Sequence, residues 1–225
     1  MRRLVSVIAA LVVATGTVVG VSAAPVSAQS NCTAEKTGYI PDTVFVPPGA
    51  TCVLTNATVI GSVMIQPSGI LRVFNSNLFG YMVSADNPGG FFITGSTVYG
   101  SVVINRLTPT SFFPNGICSS LLGGYLVFAA SAPWSTFTVG PGFLGGDEGP
   151  ALCSSANTIR GSVSFQSNQG RFQFGGNTVY GSVQASYNTG GGAINNNTIF
   201  GSLSCFYNNP AVTKSNNHAN GATYC

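Results

Sequence analysis

The chain has 225 residues, of which only 6% are charged: 8 Lys and Arg against 5 Asp and Glu, with a single His. Setting aside Arg2 and Arg3, which belong to a leader, the charges nearly balance. Neither a basic patch for a phosphate backbone nor an acidic run remains, and no nucleic acid partner is expected. Frequent Val, Ile, Phe and Tyr beside 29 Gly indicate a turn-rich β protein rather than disorder.

Arg2 and Arg3 precede an uncharged, mostly apolar run from Leu4 to Val21, and small residues follow up to Val26-Ser27-Ala28. That order predicts a secretory signal peptide over 1–28 with cleavage after Ala28, and one domain over 29–225. Ser6, Thr15, Gly16 and Thr17 dilute the run, which weighs against an uncleaved anchor. No later run approaches spanning length, so no membrane span is expected after cleavage. The expected localisation is secreted or extracellular.

A repeat organises the rest. Its copies read Thr58-Val59-Ile60-Gly61-Ser62-Val63, Asn77-Leu78-Phe79-Gly80-Tyr81-Met82 and Thr97-Val98-Tyr99-Gly100-Ser101-Val102. They resume as Thr158-Ile159-Arg160-Gly161-Ser162-Val163, Thr178-Val179-Tyr180-Gly181-Ser182-Val183 and Thr198-Ile199-Phe200-Gly201-Ser202-Leu203. Neighbouring glycines lie 19 or 20 residues apart wherever the series is unbroken. Upstream, Val44-Phe45-Val46 aligns with Val63-Met64-Ile65, and Asp42 stands in the glycine position. A degenerate copy, Leu122-Gly123-Gly124-Tyr125-Leu126, falls within an interruption at about 105–155. So short a fixed period marks a solenoid, and its alternation is of period two. Val63, Ile65, Val163, Phe165, Val183 and Ala185 fall on one face; Met64, Ser164 and Gln184 fall on the other. A second short strand is visible in Leu71-Arg72-Val73 and Phe172-Gln173-Phe174.

These patterns predict an all-β, single-stranded parallel β-helix, right-handed, with about eight coils stacked at about 4.8 Å. The motif glycine is expected at a bend, where a Cβ would crowd the core. Ser76, Ser96, Asn157, Asn177 and Asn197, four residues before it, suit a corner where they bond backbone or stack in a ladder. The segment 105–155 reads as an irregular insert, and 205–225 as a C-terminal capping tail.

An even number of cysteines in an exported chain implies disulfides. By the alignment Cys52 sits at the inward level of Leu71 in the first coil and Cys205 at that of Ala185 in the last. Cys32 lies in the leader before the first coil, Cys225 ends the chain, and Cys118 and Cys153 flank the interruption. Sequential pairing, Cys32–Cys52, Cys118–Cys153 and Cys205–Cys225, satisfies all three placements. Each bridge is worth about 3 kcal/mol in the chain-entropy account. Two would fasten tails over the ends, which predicts a monomer or side-to-side oligomer and no axial polymer.

Groups for catalysis are scarce. His218, the single histidine, lies in the Asn-rich tail, and the adjacent Asp147 and Glu148 diverge in a Gly-flanked loop. No His, Cys, Asp or Glu spacing resembles a metal site, so no enzyme activity, cofactor or metal is expected. Binding columns are the better candidates. Phe79, Tyr99, Arg160, Tyr180 and Phe200, just before the motif glycines, form an outward column able to stack on sugar rings or on a partner surface. Met64, Val83, Val103 and Val127 form an outward apolar run that turns polar at Ser164, Gln184 and Ser204; the insert is the nearest segment to cover it, a partner protein the alternative. The column Thr58, Thr97, Thr158, Thr178 and Thr198 raises ice binding, but the second threonine that a flat ice-binding face wants is absent.

The Thr-Val-x-Gly-Ser-Val coils, Pro48-Gly49-Ala50-Thr51 before them and the Cys205-to-Cys225 tail resemble small secreted bacterial β-helix repeat proteins of unassigned activity. The coils are also similar in style to bactofilins, polymer-forming cytoskeletal proteins that lack signal peptides and disulfide caps. A more distant likeness to right-handed β-helix polysaccharide lyases and hydrolases stops at the groove, where only Arg72, Arg106, Arg160, Arg171 and Asp86 are at hand. The expected function is that of a secreted extracellular or cell-surface structural and binding protein without catalytic activity. The alternative is a carbohydrate-binding or polysaccharide-cleaving protein that uses the aromatic column. The partners in view are an envelope polysaccharide or a surface protein.

Overall fold

The computed structural model describes residues 29–84, 87–110, 114–141 and 153–225; residues 1–28, Asp86, Asp147 and Glu148 lie outside the described residues. The chain winds as a parallel β-solenoid with three strands per turn and no helix among the described residues. One turn shows how. Val63–Ile65 lies on a first face, Ile70–Phe74 on a second and Asn77–Leu78 on a third, after which Met82–Ser84 returns to the first face directly above Val63–Ile65. The Thr-Val pair of the motif is therefore itself a strand, one more per turn than the alternation reveals.

Ten strands stack on the first face, from Gln29–Asn31 to Thr223–Tyr224, which makes about nine turns. The additional turn comes from the ends. Gln29–Asn31 pairs with Thr43–Val46, and Thr213–Ser215, His218–Ala219 and Thr223–Tyr224 continue the three faces. The tail is thus a last coil rather than a flap. The interruption is also regular where it is described: Asn115–Cys118, Leu121–Leu122 and Leu126–Ala129 form a coil in register with Thr97–Val98 and Val102–Asn105, and Thr136–Val139 adds the next strand of the second face. Longer connections, not loss of the coil, stretch the 20-residue separation of Ser76 and Ser96 to 24 at Ser120 and 37 at Asn157.

Inward positions carry the core. Val63, Ile65, Val163, Phe165, Val183 and Ala185 are buried as the alternation requires. Aromatic rings fill the wide middle of the lumen: Phe128 stacks on Phe137 at 4.0 Å and Phe165 on Phe172 at 4.4 Å. Burying such side chains is worth about 2 kcal/mol each, the main term holding a fold in which only 6% of residues are charged.

Each corner has its own device. Between the second and third faces the chain turns on one left-handed residue, such as Asn75 (φ 48°), Gly95 (φ 60°) or Asn196 (φ 57°). Between the first and second faces it turns on Arg106, Ala130, Ser167, Tyr187 and Tyr207, all near φ 54°. An inward Ser or Asn follows each of these except Arg106, which the buried Leu107 follows. Ser76, Ser96, Ser120, Asn157, Asn177 and Asn197 form one buried ladder, and Ser131, Asn168 and Asn188 a second. In the serine half, Ala57 N–H donates to Ser76 Oγ and Ser76 N–H to Ser96 Oγ, both at 3.0 Å. In the asparagine half the side chains also bond one another, Asn157 Nδ2 to Asn177 Oδ1 at 2.9 Å and Asn168 Nδ2 to Asn188 Oδ1 at 2.9 Å. Corners leave backbone groups unpaired inside the lumen, and these side chains satisfy them.

The third corner, at the motif glycine, works differently from expectation. A Cβ on Gly80 would meet Gly61 O at 2.5 Å, and one on Gly201 would meet Gly181 O at 2.7 Å. The glycine is required by the backbone of the coil beneath, not by the core. Gly124, Gly161 and Gly201 each donate their N–H to the glycine carbonyl one coil earlier, at 3.0–3.1 Å. Close axial approach of stacked backbones leaves no room for a side chain.

The bridges are Cys32–Cys52, Cys118–Cys153 and Cys205–Cys225, as the alignment assigns them. Cys52 pairs in register with Leu71, and Cys205 with Ala185. The end bridges tie the first and last coils to their neighbours. Cys118 points outward from the second face, where it and Cys153 form a separate buried cluster with Phe92, against which Phe74 packs.

Candidate functional site

The exposed aromatic column stands on the corner between the third and first faces. Register places Leu78, Val98, Leu122, Ile159, Val179 and Ile199 one above another, so the residues that follow them also align. These are Phe79, Tyr99, Gly123, Arg160, Tyr180 and Phe200, each exposed except the glycine. The sequence-predicted column Phe79, Tyr99, Arg160, Tyr180 and Phe200 is therefore one spatial row, with a gap at Gly123. The degenerate copy holds that glycine in plain view, and aligning it would have shown the gap.

Ring orientation decides what the row can bind. Phe79 and Tyr99 lie 4.4 Å apart and 10° from parallel; Tyr180 and Phe200 lie 4.9 Å apart and 6° from parallel. Their faces cover one another and their edges point to solvent. Such pairs stabilise by about 1 kcal/mol each, but most of the face area a sugar would stack on is already covered. Tyr99 differs. The next level above it is Gly123, so the ring face away from Phe79 has no side chain of its own row against it, and Arg160 begins the row again one level higher. Tyr81 and Tyr125, on the other side of the motif glycines, add exposed rings near this break.

A second exposed stack is formed by Tyr187 and Tyr207 at 5.0 Å on the corner between the first and second faces. Their 20-residue separation repeats that of the adjacent Asn188 and Asn208, which is the signal that would have found them.

Met64, Val83, Val103, Val127 and Ser164 follow one another in register on the first face, and Phe45 extends the run below Met64. Met64, Val103 and Val127 are half-buried. Residues 115–139 of the expected insert are built into the rod, so this part does not cover the run; its Trp134 is 67% exposed. On the third face the threonine column is broken by Asn77, Leu121 and His218.

The outer side of the second face carries a different surface. Its central row reads Arg72, Phe92, Gly116, Thr138, Gln173, Ala193 and Thr213. Burial pushes the Arg72 guanidinium below its ordinary pKa. From Thr138 onward the face opens into a groove of about 550 Å³, bordered by Pro141, Arg171, Asn195 and Asn196. The small residues Gly175, Gly176 and Ala193 give it depth.

His218 is exposed on a last-coil strand. Among the described residues no three His, Cys, Asp or Glu side chains gather as metal ligands, and all six cysteines are in bridges. No family model, curated protein or solved structure matches the chain.

Proposed function

We propose that the chain is an exported, non-catalytic rod that acts at or outside the cell surface as a structural and binding module. The observation that carries this reading is the commitment of all six cysteines to bridges between coils, a use suited to an oxidising compartment. The leader pattern of residues 1–28 and the likeness to small secreted β-helix repeat proteins agree with it. The regular outer rows are aromatic, apolar or hydroxyl-bearing, a surface for contact rather than proton transfer. Its partners are an envelope polysaccharide or a surface protein. Cell fractionation tests the proposal: the chain is recovered outside the cytoplasm, and a purely cytoplasmic chain contradicts it.

We keep one second reading, a carbohydrate-binding rod, because the open face of Tyr99 above Phe79 is the one place in the row where a sugar ring could stack. Retention on insoluble polysaccharide tests it. Tyr99→Ala loses retention while Phe200→Ala keeps it; no retention of the parent chain, or equal loss in both variants, removes the reading.

A further inference from the structure

The break in the aromatic row is a vacancy of defined height. Tyr99, Gly123 and Arg160 follow one another there, so Tyr99 and Arg160 stand two coil spacings apart, about 10 Å, with no side chain at the level between them. Elsewhere in the row flat rings fill successive levels at 4.4 Å and 4.9 Å. One more flat ring at the Gly123 level would stack on Tyr99 as Tyr99 stacks on Phe79, with Arg160 one level above it. The backbone does not let the chain supply that ring itself, because a Cβ on Gly123 would collide with the Tyr99 carbonyl oxygen. Beside the vacancy the first face opens into a groove of about 430 Å³ lined by Gly124, Tyr125, Val127, Gly161, Ser162 and Ser164. The step from the half-exposed Tyr125 and Val127 to the small serines of the next coil makes this groove. Ser162 Oγ already accepts the Ser182 N–H at 3.1 Å, so its walls are mainly apolar.

We infer that the vacancy binds a planar aromatic acid, its ring on Tyr99, its carboxylate on Arg160 and its edge toward Tyr125 and the groove. The spacing of the row selects a flat ring. A pyranose is thicker and wants polar partners around its rim, which a lining of Tyr, Val and Gly supplies sparsely. The guanidinium selects an anion, and its planar fork matches a carboxylate. The inference shares Tyr99 with the sugar reading but not its ligand, and it does not depend on the compartment in which the chain works. Retention on polysaccharide decides the sugar reading; a separate titration decides this one.

That titration is followed by NMR on the purified, disulfide-bonded protein. The probes are trans-cinnamate, cinnamyl alcohol, which keeps the ring without the charge, and cyclohexanecarboxylate, which keeps the charge without the flat ring. Cinnamate binds and its ring protons move upfield, as stacking on Tyr99 requires. Each comparison compound binds about threefold more weakly or worse, the scale of one exposed ion pair or ring contact. Tyr99→Ala costs cinnamate about fivefold, whereas Tyr99→Phe, which keeps the ring, binds as the parent does. Arg160→Gln costs cinnamate about threefold and leaves cinnamyl alcohol unchanged. Tyr187→Ala, on another corner, changes nothing. The inference is overturned by absence of cinnamate binding, by equal binding of either comparison compound, by full affinity in Tyr99→Ala or Arg160→Gln, or by loss of binding in Tyr99→Phe or Tyr187→Ala.

Discussion

Asn157 and Asn177, 20 residues apart and both buried, are joined side chain to side chain, the Asn157 Nδ2 donating to the Asn177 Oδ1 at 2.9 Å. Asn177 passes the bond on to Asn197 Oδ1 at 3.1 Å and also donates to Val139 O at 3.0 Å. One side chain thus satisfies groups from several coils. Asn177→Ala removes one of the two acceptors of Asn157 Nδ2, which keeps Ile117 O, and the side-chain donor to the Val139 carbonyl, and is expected to destabilise by about 3 kcal/mol in urea unfolding. Asn177→Ser, the residue type of the first half of the ladder, retains an acceptor and is expected to cost about half as much.

That ladder also shows what the sequence makes legible. A 20-residue repeat with alternating Val and Ile shows the solenoid, its core positions and the register of Cys52 with Leu71 and Cys205 with Ala185, because periodicity and burial are the same fact there. It hides elements too short or too polar to alternate. Thr97–Val98 is only two residues long, and the last coil from Thr213 to Tyr224 has little apolar content, so the sequence does not show the first as a strand and reads the second as a capping tail. Arg171 and Thr138 meet on one face although the longer connections of the interruption lie between them, and no local pattern links them. The Gly123 gap in the column was readable but needed the degenerate copy to be taken as a full coil.

Gly181 stacks on the coil below so closely that a Cβ would lie 2.6 Å from Ser162 N and 2.7 Å from Gly161 C. Gly181→Ala must move the Ser162 hydroxyl, 2.5 Å away, and force the two backbones apart as well. The expected loss is about 3 kcal/mol, read as a lower thermal midpoint with the mature fold otherwise kept.

Ala130 turns its corner at φ 54°, a conformation that costs an L residue about 1 kcal/mol. It is exposed and outside both Asn ladders. Ala130→Gly removes that cost but adds chain entropy to the unfolded state. The expected net effect is stabilisation by about 0.5 kcal/mol, measurable as a small rise in the urea midpoint.

Lys214 occupies the register of Ile194, an inward position, but in the last coil, and its Nζ donates to the Cys225 carbonyl across the end of the lumen. A second rod stacked on this end would bury that ammonium, a strong deterrent to axial pairing. Lys214→Leu is expected to raise the sedimentation coefficient through end-to-end association, whereas the parent chain forms no axial polymer. Axial filaments of the parent protein would contradict the account of the end coil.

The proposal that this is an exported rod, locked by three bridges, is tested most directly by the intact mass of the chain isolated from its source cells and their medium, before and after reduction. The account predicts material outside the cytoplasm that begins at Gln29 and takes up six hydrogens on reduction, as three disulfides require. A chain confined to the cytoplasm that still carries residues 1–28, or one with free thiols before reduction, would contradict it.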